Sequence, residues 1–443
     1  MRGQSIEGTI TDIDEKGRGV FEHASQRIHT WFAFPGDTVR VRIVQREKKE
    51  WIGKREELVA PSPDRLPPRC DHAEKTGNCF WQVIRYDQQL AWKQALVQQA
   101  FDRHRLGIPI LLPRPSPQTF GYRNKMEYAI GTGPVIGFRE PKKWWSLVDI
   151  AGCYLQSEGS FPLLQAVKGY LQDHDIAPWH LRSHTGFARY LLVREGKFTG
   201  ERMAVLITAA GELPHRQDLM DRLAGHVTSL YWGINPTLSD TTISQKLVLL
   251  QGKELLCEQI GDLTYFIHPH AFFQNNSYLA VELVQTVLEF ADLAGHERVL
   301  DLYCGGGLLS LPLARRASQV LGIESDPTSI ACAQMNREAN GVENVQFLQE
   351  KVESCSWADL PQEVAVVDPP RSGLHPKVLQ ALVERGPDRL IYVSCNHQAL
   401  ASELTALLTA YTCEAVRLLD LFPHTPHVEV LARLVRMRRS PLG

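Results

Sequence analysis

The sequence predicts an α/β protein: a doubly wound, mostly parallel C-terminal sheet preceded by an OB-like β-barrel and a middle α+β region. Three observations predict it. From about residue 297, short apolar runs alternate with helical stretches, the pattern of a parallel sheet with crossover connections. Residues 1–58 hold several short β-prone runs and no helical pattern, as a small barrel does. Between them strands and helices mix. The expected division is 1–58 barrel, 59–270 middle domain and 271–443 C-terminal domain.

In the barrel, Ile6, Ile10 and Ile13 lead to a turn at Glu15–Val20. Val39, Val41 and Ile43 then alternate with Arg40 and Arg42, one face apolar and one basic. Arg40 to Arg55 carries seven Lys/Arg against two Glu. That face reads either as a solvated edge that resists aggregation or as a nucleic-acid surface. Pro61, Pro63, Pro67 and Pro68 read as a linker, residues 85–105 as an amphipathic helix, and Pro113, Pro115 and Pro117 as a loop.

In the last domain, 298–303 is an apolar strand running into Cys304-Gly305-Gly306-Gly307. Strands follow near 320–324, 345–348, 364–367, 389–393, 416–421 and 428–435. No helical pattern separates the last two, so one of them is expected to be antiparallel.

The 443 residues carry 48 Lys+Arg against 50 Asp+Glu, a balance that neither demands nor excludes a polyanionic partner. The polar start and the absence of any run of ~18 apolar residues predict a cytoplasmic protein with no membrane partner. Nine cysteines, an odd number spread over a long chain, argue for reduced thiols, metal ligands or a catalytic thiol rather than a disulfide framework.

The glycine turn lets a ligand approach backbone at a helix start, as in a Rossmann-like site. Glu324, 19 residues after Gly305, stands where a carboxylate accepts ribose hydroxyls. This fits nicotinamide dinucleotide and S-adenosylmethionine equally. The downstream residues separate them. Asp368-Pro369-Pro370-Arg371 ends one strand, Ser394-Cys395-Asn396 the next, and Glu429 follows the turn Phe422–Val428. A thiol and a carboxylate beside a methyl donor suit methylation at uracil carbon 5. A thiolate adding to carbon 6 makes carbon 5 nucleophilic, and a base then removes its proton. Cys395 is the expected nucleophile and Glu429 the expected base. A dehydrogenase would explain the glycines but leave Cys395 and the Asp368-Pro369-Pro370-Arg371 turn without a role.

Six segments together resemble the RNA uracil-5 methyltransferases over nearly the whole chain. They are Gly121–Met126, Phe272–Asn276, Val299–Gly305, Asp368–Arg371, Tyr392–Asn396 and Phe422–Glu429. The resemblance implies a class I methyltransferase domain and an N-terminal TRAM domain of the RNA-binding kind. It implies that Gln274, Tyr303, Glu324 and Asp368 line the S-adenosylmethionine and target-base site beside Gly305. Phe272-Phe273 reads as a wall for bases or as core. The resemblance favours 23S ribosomal RNA as substrate over transfer RNA, with a non-catalytic RNA-binding assembly factor as the rival of another class. A monomer is expected. Cys70, Cys79 and Cys153 match three of the four ligands of the family's iron–sulfur cluster. Thr76 replaces the fourth, and His72 is an exposed neighbour that could substitute.

Overall fold

The computed structural model describes residues 1–133 and 135–437, without the side chain of Trp144. The chain forms two compact units: Met1–Gln99 with Phe422–His427, and the remainder.

The first unit holds a six-stranded sheet in the order Ser5–Thr9, Thr38–Glu47, Glu50–Ala60, Gln26–Thr30, Gly19–His23, Asp12–Ile13. Its interior is Ile6, Ile10, Phe21, Ile28, Val39, Val41 and Ile43, the alternation read from the sequence. The basic face is answered across the strands. Arg40 meets Glu7 at 3.0 Å and also Glu57, and Arg42 meets Glu56 at 2.6 Å. Here the surface is mixed in charge, and such exposed pairs add little stability.

The predicted linker is folded structure. The strand runs on to Ala60, and Arg65 turns back to both oxygens of buried Asp37 at 2.7 and 2.9 Å. A fully buried carboxylate needs such a partner, and this one fixes the proline segment against the barrel. Phe34, Phe80 and Trp81 form a second core with Trp92 of the helix Tyr86–Arg103. The distant segment Phe422–His427 joins this unit. Its His424 carbonyl accepts from the Trp81 amide at 3.1 Å, and its His424 amide donates to Gln89 Oε1 at 2.9 Å.

The second unit holds two large sheets. The middle sheet has the order Lys143–Asp149, Val135–Glu140, Lys125–Gly131, Ala188–Glu195, Arg202–Thr208, Ser229–Ile234, Lys246–Gly252. Only the pair Arg202–Thr208 and Ser229–Ile234 is parallel. A hairpin, Leu256–Ile260 with Leu263–Ile267, follows.

The C-terminal sheet has the order Val345–Gln349, Gln319–Glu324, Arg298–Leu302, Val364–Val367, Arg389–Ser394, Glu429–Arg436, Tyr411–Leu419, Ile110–Arg114. Its first five strands are parallel, and Glu429–Arg436 is antiparallel to both neighbours. The eighth strand corrects the reading of Pro113 as loop. Proline lacks a ladder donor and is tolerated on a sheet edge, where Ile110–Arg114 sits. Among the described residues no helix is long and apolar enough to cross a membrane.

Candidate active site

Parallel strands end together, so their carboxyl ends gather residues distant in sequence. Leu302 pairs with Ile323 and with Val367, and Val367 pairs with Tyr392. Tyr303, Glu324, Asp368 and Cys395 therefore follow one sheet edge, where ligands bind in open α/β folds. Ser394 pairs with Val430 in the antiparallel step, so Cys395, just after the one, and Glu429, just before the other, reach the same edge, near enough for Glu429 to act on the thiol electrostatically.

The glycine turn is built for close approach. Tyr303, Gly305 and Gly307 all have positive φ, at 67°, 53° and 84°. That region is uncommon for an aromatic residue and marks a held conformation. A Cβ on Gly305 would meet nothing within 4 Å, so the turn faces open space. Glu324 ties the second strand to this turn. Its carboxylate accepts from the Ser325 and Asp326 amides at 2.6 and 2.8 Å, and from the Gly305 amide at 3.3 Å. Ribose hydroxyls would add to this set. Asn336 supports the turn from behind, donating to the Gly306 carbonyl at 3.0 Å. The cleft in front is lined by Phe272, Phe273, Gln274, Tyr303 and Asp368, with Leu308 and Asp301 behind. Phe273 is buried and Phe272 is 60% exposed, so one ring is core and the other is open to a ligand.

Four elements deliver acids to this edge. Gln274 Nε2 donates to Asp368 at 3.2 Å, and the Gln274 carbonyl accepts from Asn124 Nδ2 at 2.8 Å. Burial and the neighbouring Asp301 push Asp368 up to about 7. Burial also pushes Asp301 up to about 7, although Ser310 donates to it at 2.5 Å. Burial, with Asp368 next in importance, holds Glu429 well above the usual carboxylate range. Glu429 is 2% exposed, and its Oε1 has no hydrogen-bond partner among the described residues. Burial and mutual repulsion disfavour the ionised forms of these acids, and a cationic ligand beside them would favour those forms.

Asp301 was quoted within a motif but given no role. Because its folded pKa lies above the unfolded value, it favours folding below about pH 4. That contribution is lost as pH rises through about 7. Asp301→Asn is expected to raise the melting temperature of the ligand-free protein by a few degrees at pH 8 and leave it unchanged at pH 4. Thermal melts across that range check it.

Cys395 sits between the end of its strand and the helix His397–Leu407, which Asn396 caps by accepting from the Gln398 and Ala399 amides at 3.2 and 3.3 Å. Asn396 Nδ2 also holds the Arg371 carbonyl at 2.9 Å, locking the thiol loop to the Asp368–Arg371 turn. Burial, then Glu429 and Asp368, push the thiol up to about 11, with Arg371 opposing. The resting group is a thiol.

The loop that carries Gln274 is fastened by a residue that no local sequence pattern singles out. Buried Arg194 donates to the Pro269 carbonyl at 3.0 Å and to that of Ala271. Burial lowers it to about 10, still charged at neutral pH.

The expected metal ligands stand differently. In the first unit Cys70, His72 and Cys79 are buried, and their donor atoms lie within 4.8 Å of one another. His72 is 3% exposed, which corrects its reading as a surface residue. Gln82 orders the set, accepting from the Cys70 amide at 3.0 Å and donating to Cys79 Sγ at 3.0 Å. Thr76 Oγ1 donates to the His72 carbonyl at 3.3 Å, so it contributes no ligand. Cys153 is buried in the second unit. Two thiols and an imidazole whose donor atoms all lie within 4.8 Å are close enough to turn towards one tetrahedral ion. A four-iron cluster places a separate iron under each ligand and spreads them farther.

Comparison with known proteins bears on the whole chain. A family model described as tRNA (Uracil-5-)-methyltransferase matches residues 241–437, and one described as the TRAM domain of tRNA (uracil(54)-C(5))-methyltransferase matches residues 6–63. The chain is 36% identical to the tRNA (uracil(54)-C(5))-methyltransferase of Pyrococcus furiosus, over 98% of this chain and 100% of that protein. It is 37% identical to the 23S rRNA (uracil(747)-C(5))-methyltransferase of Pyrococcus horikoshii, over 97% and 99%. The crystal structure of the Pyrococcus abyssi tRNA (uracil-54, C5)-methyltransferase with S-adenosyl-L-homocysteine superposes with a TM-score of 0.82 at 34% identity, covering 97% of this chain and 100% of that one.

Proposed function

The chain belongs to the RNA uracil-5 methyltransferase family, and from that premise we propose that it methylates carbon 5 of a uridine in RNA through a covalent Cys395 adduct. The observation that carries the reading is the gathering of Cys395, Glu429 and Asp368 at one sheet edge, close enough for both acids to act on the thiol. S-adenosylmethionine supplies an electrophilic methyl group. Cys395 gives its proton to water and its thiolate sulfur adds to carbon 6 of the uracil, the displaced electron pair making carbon 5 an enolate-like nucleophile. Carbon 5 takes the methyl group, and S-adenosylhomocysteine is released. Glu429, as carboxylate, then removes the carbon-5 proton, and the thiolate leaves as the ring double bond re-forms. Tyr303, Gly305 and Glu324 position the adenosyl group, and Gln274 and Asp368 hydrogen-bond the donor or the base. The target must leave its stack to reach this cleft.

The preference for ribosomal RNA rested on the barrel, and the matching barrel model carries a transfer-RNA description. Relatives of both kinds stand at 36% and 37% identity, so likeness favours neither. The test is transfer of tritium from labelled S-adenosylmethionine to bulk RNA of a strain lacking the gene, fractionated into ribosomal and transfer pools. Label in 5-methyluridine of one pool is expected. No label, with cofactor binding intact, overturns the enzymatic reading in favour of an RNA-binding assembly factor.

For the metal, Cys70, His72 and Cys79 suit one thiophilic ion, with a structural role in the first unit. Anaerobically purified protein is expected to carry about one metal equivalent without acid-labile sulfide. Stoichiometric iron and sulfide, or no metal, overturns this.

A further inference from the structure

A groove of about 620 Å³ lies away from the catalytic edge, on the middle sheet of the second unit. Its lining includes the aliphatic Ala129, Ile130 and Leu147, the indoles of Trp145 and Trp179, and Arg139 and Arg182. No aspartate or glutamate is among its lining residues. On the assumption that the RNA-methylating reading holds, we propose that this groove binds a single-stranded stretch of the substrate RNA away from the target uridine, stacking bases on the indoles and pairing phosphates with the arginines.

Three observations carry it. Trp145 is 65% exposed, a large apolar surface that a folded protein normally buries. Indole faces with guanidinium groups form the sequence-tolerant platform that single strands use. Trp179 is held in place: the Arg189 guanidinium lies 4.8 Å from its ring centre, and Arg189 itself donates to the Asn235 and Thr237 carbonyls at 2.9 and 2.7 Å. A ring fixed in this way is pre-organised for stacking. Arg139 is fixed by Asp240 at 2.8 Å and by Tyr190 at 3.0 Å.

The third observation is position. The strand Lys125–Gly131 links the two sites. Asn124, just before it, holds the Gln274 carbonyl at the catalytic cleft, while Ala129–Gly131 lie in the groove. From Asn124 to Gly131 is roughly 23 Å at ~3.3 Å per residue. A stacked strand would span that with about seven nucleotides at ~3.4 Å each. The groove and the cleft are thus within reach of one RNA.

The test uses full-length protein and a 12-nucleotide oligoadenylate, which lacks the base the catalytic cleft takes. Trp145→Ala is expected to weaken its binding about 5- to 100-fold, the range for loss of one base stack. Trp145→Phe is expected to keep most of it. Arg182→Gln should lower the slope of log affinity against log salt by about 1. S-adenosylhomocysteine binding, which does not involve this groove, should be unchanged in all three and reports that they are folded. Undiminished oligoadenylate affinity in Trp145→Ala overturns the proposal and leaves the groove to a peptide or small molecule. If the wild type methylates no RNA yet oligoadenylate binding depends on Trp145, the groove stands and the enzymatic reading fails.

Discussion

Cys395→Ala will abolish methyl transfer, by at least about 10⁴-fold in kcat, while RNA and S-adenosylhomocysteine binding stay near wild type. The size follows from the chemistry. Carbon 5 of uracil is a poor nucleophile until a bond forms at carbon 6, and no other thiol stands at this sheet edge within the described residues except Cys304. Burial holds Cys304 well above the ordinary thiol range, and it is only 7% exposed. The substitution removes a partly buried sulfur without leaving a charge unpaired, so the fold should tolerate it. Turnover retained in Cys395→Ala, measured as tritium transfer to RNA, would reject the nucleophile.

The same thiol sets a pH dependence. With its pKa at about 11 in the ligand-free protein, only about 1 part in 3,000 is thiolate at pH 7.5. The causes are burial and two acids, Glu429 and Asp368, whose negative charge opposes a second anion. The thiolate fraction therefore rises tenfold per pH unit, and the rate of alkylation of Cys395 by iodoacetamide should rise in step between pH 7 and 10. A cation bound at the acid cluster would draw the thiol down. Saturating S-adenosylmethionine should shift that profile to lower pH. A profile indifferent to the cofactor would mean the acids do not couple the two sites.

The sequence made the sheet edge legible because strand ends are local. Gly305, Glu324, Asp368 and Cys395 each follow an apolar run, and parallel pairing then aligns them without further information. Glu429 was legible through the same rule with the direction reversed. What was hidden depends on long-range choices. Pro113 reads as a loop breaker unless the edge it joins, Tyr411–Leu419, is known. Phe422–His427 reads as one turn of the C-terminal domain, yet its amide and carbonyl are taken up by Gln89 and Trp81 of the first unit. His72 looks like a surface residue until the Gln82 amide gathers Cys70 and Cys79 around it. Arg194 and the Trp145 groove leave no local pattern, since a charge in a β-strand and a lone tryptophan are common in either state.

Glu429→Gln should trap the reaction after methyl transfer. Glutamine keeps the size and shape of the side chain but accepts no proton at neutral pH, so the carbon-5 proton stays and the thiolate cannot leave. Release should slow by about 10²–10⁴-fold, the usual weight of a general base. An enzyme–RNA species that survives denaturing electrophoresis and is lost on protease treatment is expected, and it should carry label from tritiated S-adenosylmethionine. The variant should fold, because burial disfavours the charged form of Glu429 and a neutral amide of the same shape replaces it at little cost. Asp368 is the competitor. At a pKa of about 7 it is half ionised at neutral pH and lies beside Glu429. Gln274 Nε2, however, donates to Asp368 Oδ2, which occupies an oxygen that proton removal would need, whereas Glu429 Oε1 has no partner within the described residues. The two variants separate the roles. If Glu429 is the base, Glu429→Gln accumulates adduct and Asp368→Asn lowers the rate of adduct formation. If Asp368 is the base, the adduct accumulates in Asp368→Asn instead, and Glu429→Gln turns over.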